Sequence, residues 1–456
     1  MKKPKINKAV YLTLITTILV FFSAEKIFAQ SQPGATYTLV QAIDYAIKNQ
    51  VDIKNAELET SIAKARTNEL IAIGLPQVDA SADVNKFLEI PTQFVPGEFF
   101  DGEPGTYAPV QFGQAYSASA GFTASQLLFD GTYLVGVKAS KTYVDLARKG
   151  VSRTKIETAV NVSKAYYYVL VAEERFKQLT SDLARLGKLK DDTKAFYDNG
   201  FVEKIDYDRI ELSYNLVESA LAQTERFVSN SYNLLKFQMG MDLKTEISLA
   251  ESIDNINFDP AVLHEDSVNV ESRIEYSILQ TQYKLADYDL HRYKTSRWPS
   301  LVAFGNYTTN ASRNEFDFLD TGQKWYPSSM IGAKISIPIM GGFKIGHQVK
   351  QAELSKKQVE NSFYQVEQSI KLEHQNALNT LKSNIEKLQT QDKNRNLARE
   401  ISRVSKIKYE QGVGSNLEVI DAEASLRESE TNYYLALLET IISKIDLDKA
   451  LGNFKY

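Results

Sequence analysis

Carboxylates are the first candidates for chemistry in this chain, because the thiol and imidazole groups that most often carry it are absent or few. There is no Cys, and the four His residues, His264, His291, His347 and His374, form no HExxH pair or other ligand spacing. No metal site and no cofactor are therefore expected, and His374, on an apolar helical stripe, reads as a core residue. "GGFKIG" and "QGVGSN" contain Gly, but neither sits in the βαβ unit that phosphate binding would need. Carboxylates are plentiful, yet no pair is set apart as acid and base, so no enzyme is expected. One acidic pair is distinguished by position: Glu418 and Asp421 lie three apart, on one face of a helix. Glu418 also has a structural use, since Ser415-x-x-Glu418 is a capping box. Asp421 has none.

The elements that position this pair occur twice. "YEQGVGSNLEVIDAE" (Tyr409 to Glu423) echoes "YDNGFVEKIDYDRIE" (Tyr197 to Glu211). Gly200 and Gly412 are 212 residues apart, as are Gly240 and Gly452; Gly121 pairs with Gly332 at 211 and Pro76 with Pro299 at 223. Four landmarks in one order predict a tandem internal repeat. The first repeat covers 30–240 and the second 270–456, joined by a linker at 241–269, each running helix, two strands, very long helix, tip turn, helix. Asp421 then corresponds to Arg209, so the two copies differ in charge there.

Proline is absent between Pro109 and Pro260 and after Pro338, which allows very long helices, since an internal Pro costs about 3 kcal/mol. From about Gly131 to Asn199 and from about Gly342 to Gln411 each would span ~100 Å at ~1.5 Å per residue, with a helical tunnel expected near 131–240 and 342–452. Phe176, Leu179, Leu183 and Leu186 step by three and four, as do Val359, Phe363, Val366 and Ile370; His374, Leu378, Leu381, Ile385 and Leu388 continue the second stripe through a stutter, which locally unwinds a left-handed supercoil. Straightened helices can line a wide tube. Gly200 and Gly412 follow Lys194, and Lys406 and Lys408, as a finished helix C-terminus does, so each repeated phrase reads as the tip of a helical hairpin.

Strands are expected near 77–90, 112–127, 299–311 and 328–340 from alternation. Val78, Ala80, Ala82 and Val84 oppose Asp79, Ser81, Asp83 and Asn85; Tyr116, Ala118, Ala120, Phe122 and Ala124 oppose Ser117, Ser119, Gly121 and Thr123; Ile331, Ala333, Ile335 and Ile337 oppose Gly332, Lys334 and Ser336. Small apolar residues on one face and polar ones on the other suit a membrane barrel around water. Four strands cannot close one, and lipid tolerates no open edge. Other copies of the chain must complete it. "PTQFVPGEFFDGEPGTYAPV" and "SRNEFDFLDTGQKWYP" read as its long aromatic outer loops.

Lys2, Lys3, Lys5 and Lys8, the apolar run Ala9 to Phe22 and Ala29 in "IFAQ" form the layout of a secretory signal peptide at 1–29. Removing it takes away five Lys and one Glu, leaving 48 basic and 56 acidic residues, net −8, which speaks against nucleic acid.

The duplication, the strand pairs, the Tyr-x-x-Gly tips and the terminal Leu-Gly together resemble the TolC-like outer membrane efflux proteins, over nearly the whole mature chain from "TYTLVQAIDYAIKNQ" to "LDKALGNF". That resemblance implies a mainly α protein with a membrane β-barrel: a homotrimer of four strands per chain, twelve in all, continued by an α-helical coiled-coil tunnel across the periplasm. It implies an exit duct in the outer membrane lipid, serving tripartite efflux or type I secretion, with a periplasmic adaptor and an RND- or ABC-type inner membrane transporter as partners. Carried over residue by residue, Tyr409, Glu418 and Asp421 match the periplasmic constriction and Asp206 its partner on the outer hairpin. Three-fold symmetry would gather six carboxylates on one axis, favouring cations. Gly200, Phe201, Gly412, Val413 and Gly414 would be the tip residues that meet the adaptor. Gly414 stands where the best-known relative has a basic residue that ties the tips shut, "NGFV" and "QGVG" stand where the family often has Val-Gly-Leu, and the lack of Cys removes the acyl anchor of some members. Competing readings are a periplasmic coiled-coil structural or adaptor protein without a barrel, and an envelope hydrolase with helical decoration.

Overall fold

The computed structural model describes residues 34–101, 103–253 and 268–456; the expected signal peptide and much of the expected linker lie outside them. Seven α-helices carry most of the described residues: α1 Leu39–Asn49, α2 Val51–Ala72, α3 Gly131–Asp198, α4 Lys204–Met239, α5 Ile274–Thr295, α6 Lys344–Glu410 and α7 Asn416–Leu451. The lengths fall in pairs, 22 and 22 residues for α2 and α5, 68 and 67 for α3 and α6, 36 and 36 for α4 and α7. At ~1.5 Å per residue, α3 and α6 each run ~100 Å. The stripe on α6 holds: Ile370, Leu378 and Leu381 are buried and the other stripe residues half-buried, His374 among the latter.

Four strands, β2 Gln77–Lys86, β5 Tyr116–Phe129, β7 Ser300–Arg313 and β8 Tyr326–Ser336, form one antiparallel sheet in the order β2-β5-β7-β8. The register settles the faces, because residues paired across antiparallel strands share a side. Val78, Ala80, Ala82 and Val84 lie opposite Ala124, Phe122, Ala120 and Ala118, and the same face continues through Gly305, Tyr307 and Ala311 to Ile331 and Ile335. Asp79, Ser81, Asp83 and Asn85 lie opposite Thr123, Gly121, Ser119 and Ser117, followed by Asn306, Thr308, Asn310 and Ser312. β2 and β8 are the sheet's edges. At the helix end of the sheet Phe129 stacks on Trp298 with centroids 6.4 Å apart.

The strand ends differ from the alternation reading. β8 stops at Ser336 rather than continuing to residue 340, because Pro338 has no N–H to give a ladder. The first outer loop is not wholly irregular: β3 Thr92–Pro96 pairs antiparallel with β4 Tyr107–Gln111. A short parallel pair, β1 Ala35–Tyr37 with β6 Ile247–Leu249, also escaped the sequence pattern. It lies on the main core, where Ala42 and Ala46 of α1, Val162, Tyr166 and Val169 of α3, Leu235 and Met239 of α4 and Leu437 and Ile441 of α7 meet. The buried Tyr166 hydroxyl donates to the Tyr37 carbonyl at 3.1 Å, which ties β1 to α3. No helix among the described residues is long and apolar enough to cross a membrane.

Candidate functional site

The two hairpin tips are built alike. At the first, the Gly200 N–H bonds to the Tyr197 carbonyl at 2.9 Å and the Phe201 N–H reaches back to the Phe196 carbonyl at 2.9 Å; at the second, Gly412 bonds to Tyr409 at 3.0 Å and Val413 to Lys408 at 2.9 Å. Both are Schellman turns, with Gly200 at φ +77° and Gly412 at φ +73°. No atom would obstruct a Cβ at either position, so the backbone conformation alone asks for glycine. Lys408 lies in the last turn of α6, but α3 has no basic residue in its last turn; Lys194 sits too far up the helix to meet its negative end. Phe201 and Val413 each stand 78% exposed at the apex.

At the start of α7 the Glu418 N–H donates to Ser415 Oγ at 3.2 Å; of the expected capping box only this half forms, since the Glu418 side chain returns no bond to the Ser415 N–H. Glu418 and Asp421 share an exposed face, while Val419 and Ala422 turn inward. The structure does not bring Tyr409 or Asp206 to these carboxylates. Tyr409 Oη lies 3.5 Å from Thr193 Oγ1 on α3. Since that threonine already donates to the Leu189 carbonyl at 2.8 Å, the tyrosine is the donor. The Asp206 carboxylate sits 3.9 Å from Arg209 one turn on, and its backbone carbonyl accepts from Asn416 Nδ2 at 2.7 Å. Asn416 thus joins the start of α7 to the start of α4, and sequence reasoning missed it; its one signal was an amide directly after the N-cap. Gly414 is packed closely: a Cβ there would come within 2.9 Å of Lys408 Cβ, so this turn has no room for a basic side chain.

Above the tips, a cleft of about 310 Å³ opens between α3 and α6, lined by Arg185, Lys188, Phe196, Lys406 and Tyr409 among others. No group of three or more His, Cys, Asp or Glu side chains is placed to hold a metal ion among the described residues.

Residues 279–453 match the family model described as outer membrane efflux protein. The chain is 21% identical over 340 residues to outer membrane protein TolC of Vibrio cholerae, covering 74% of this chain and 76% of that one. It is 23% identical over 427 residues to the probable efflux pump outer membrane protein TtgC of Pseudomonas putida, covering 92% and 83%. Among solved structures, CusC superposes with a TM-score of 0.71 at 17% identity, over 94% of this chain and 96% of that one. The Campylobacter jejuni CmeC outer membrane channel superposes with a TM-score of 0.70 at 17% identity, over 91% and 86%. The chain therefore shares the fold of these solved channels.

Proposed function

We propose that the chain is a TolC-like outer membrane efflux protein, as the family match over residues 279–453 and the shared channel fold support, and that it works as a homotrimeric exit duct of a tripartite efflux or type I secretion system. The observation that carries this reading is the sheet: one apolar face, one polar face and two edges, β2 and β8, without partners. In lipid such edges must pair, and the pairing that uses only this chain joins β8 of one copy to β2 of the next. Three copies give a twelve-stranded barrel with the Asp79 and Asp83 face toward water. The paired helix lengths and tip turns support descent from a tandem duplication, with repeats at 30–240 and 270–456.

In the trimer Glu418 and Asp421 on the exposed face of α7 line the periplasmic constriction, gathering six carboxylates, while Tyr409 and Asp206 act from its margin through Thr193 and Asn416. Gly200, Phe201, Gly412, Val413 and Gly414 present the tips to a periplasmic adaptor, which couples the duct to an RND- or ABC-type transporter. The duct is a passive conduit rather than an enzyme, and choice of cargo lies with the pump.

The test is single-channel conductance of detergent-purified protein in planar bilayers, wild type against a Glu418→Ala, Asp421→Ala double variant. Cation-selective openings that enlarge or lose selectivity in the variant support the gate. A protein that stays soluble without detergent and never inserts rules out the duct.

A further inference from the structure

A band of buried charge crosses the two hairpins above the tips. On α7 the inward positions run Val419, Glu423, Leu426, Glu430, Tyr434, a spacing of threes and fours that sets two carboxylates on a seam meant for apolar side chains. Glu423 is 7% and Glu430 3% exposed, and facing them on α3 is Asp182 at 2%. Gln178 Nε2 donates to Glu430 at 2.6 Å and to Asp182 at 3.3 Å. Arg399 of α6 donates to Glu430 through Nε at 3.1 Å and Nη2 at 3.0 Å, and Ser402 to Glu423 at 2.7 Å. Arg185 donates to Asp182 Oδ1 at 2.5 Å and lies 3.7 Å from Glu423. Asp182 Oδ2 has no hydrogen-bond partner, nor does Arg427 Nη1 on α7. From α4 this stretch of α3 receives Val217 and Leu221 among its contacts.

A buried carboxylate oxygen without a donor is costly as an anion and useful as an acid, because a proton turns it into a donor in a pocket already holding two carboxylates. We propose that Asp182, Glu423 and Glu430 form a proton-responsive latch between the outer and inner hairpins, which positions the α7 tip and its carboxylates. The latch rests on the gate reading above in that the helix it holds is the one that carries Glu418 and Asp421.

The direction follows from the surroundings. Burial pushes the Asp182 carboxyl up to about 6; Arg185 and Arg427 oppose the rise, while Glu430 and Glu423 add to it. A hairpin pair that parts here would expose Asp182 to water and return it to the ordinary range. The latched form therefore binds the proton more tightly, so it gains as pH falls from about 6 toward about 4 and loses that gain as pH rises through about 6. Between pH 7.5 and pH 5 the preference for the latched form rises about tenfold.

Channel open probability in planar bilayers at pH 5 and pH 7.5, for wild type and Asp182→Asn, tests the proposal. Open probability about tenfold higher at pH 7.5 in wild type, and a flat response in the variant, supports the latch; a flat wild type, or a variant that keeps the wild-type response, overturns it. Hydrogen exchange of the α7 amides from 419 to 434 in the wild-type protein, corrected for the intrinsic rate, decides the matter if the variant does not assemble. Slower exchange at pH 5 supports the latch and equal exchange overturns it. The same measurement separates the two proposals: a protein that forms no channel removes the duct, whereas α7 exchange still reports the latch.

Discussion

In the first hairpin Leu179, Leu186 and Val217 fill the seam between α3 and α4; at the matching height of the second, α6 and α7 meet through Ala398, Ser402, Glu423 and Glu430. Leu186 and Ala398 are counterparts, 212 residues apart, and both are buried. The backbones agree in length and in the turns that close them, so the difference lies wholly in side chains. An apolar seam gains free energy from area removed from water and keeps it across pH. A seam of carboxylates, arginines and a serine gains little net free energy and depends on every partner and proton being in place. One hairpin is therefore built to stay as it is. The other, which carries Glu418 and Asp421, is built so that a modest change in protonation or in a neighbouring surface can move it.

The largest expected effect breaks the rigid side of the comparison. Leu186→Ala leaves a cavity in a seam where the native side chain is 1% exposed, at a cost of about 2 to 5 kcal/mol. Thermal unfolding of the detergent-solubilised protein should show the larger loss for Leu186→Ala and a smaller one, about 2 kcal/mol, for Ala398→Gly, which removes one methyl group and adds a helix penalty. Equal losses would mean that the second seam is packed as tightly as the first.

The tips sharpen the comparison from the other side, because there the hairpins should behave alike. Gly200→Ala and Gly412→Ala each force a Cβ into the left-handed region without any steric neighbour, costing about 1 kcal/mol apiece. Matching losses in chemical denaturation support equivalent turns. A much larger loss at Gly412 would show that the second tip carries strain that its partner does not.

The two hairpins also show which features the sequence could reveal. Long helices follow from runs without Pro and tip turns from Gly at a repeated spacing, both local rules that hold whatever the chain packs against. The faces of β2 and β5 were legible because Val78 to Asn85 and Tyr116 to Ala124 alternate cleanly. β3 and β4 were hidden by Pro96 and Pro109 in residues that read as loop, since a Pro is tolerated on the outer side of a two-stranded hairpin. Asn416 and Asp182 were hidden for another reason. Their roles depend on a carbonyl and two carboxylates more than 200 residues away in the chain, and no local period reports such partners. The trace left by Asp182 was a charge midway between Leu179 and Leu186, beside Leu183 on the apolar stripe.

The smallest effect on stability falls on the residues with the clearest functional claim. Asp421 is exposed and its counterpart Arg209 is exposed as well, so Asp421→Asn and Arg209→Gln should each change stability by less than about 0.5 kcal/mol. Their effects on ion selectivity should nonetheless diverge. Removing the Asp421 charge takes three of six carboxylates from the proposed constriction and should lower the preference for cations measured by reversal potential in a salt gradient. Arg209 lies one turn from Asp206, on the hairpin that the proposed trimer places away from its axis, and Arg209→Gln should leave the reversal potential near its wild-type value. Equal shifts in the two variants would put both hairpins at the same distance from the conduction path, and the division between a supporting hairpin and a gating one would then have to be abandoned.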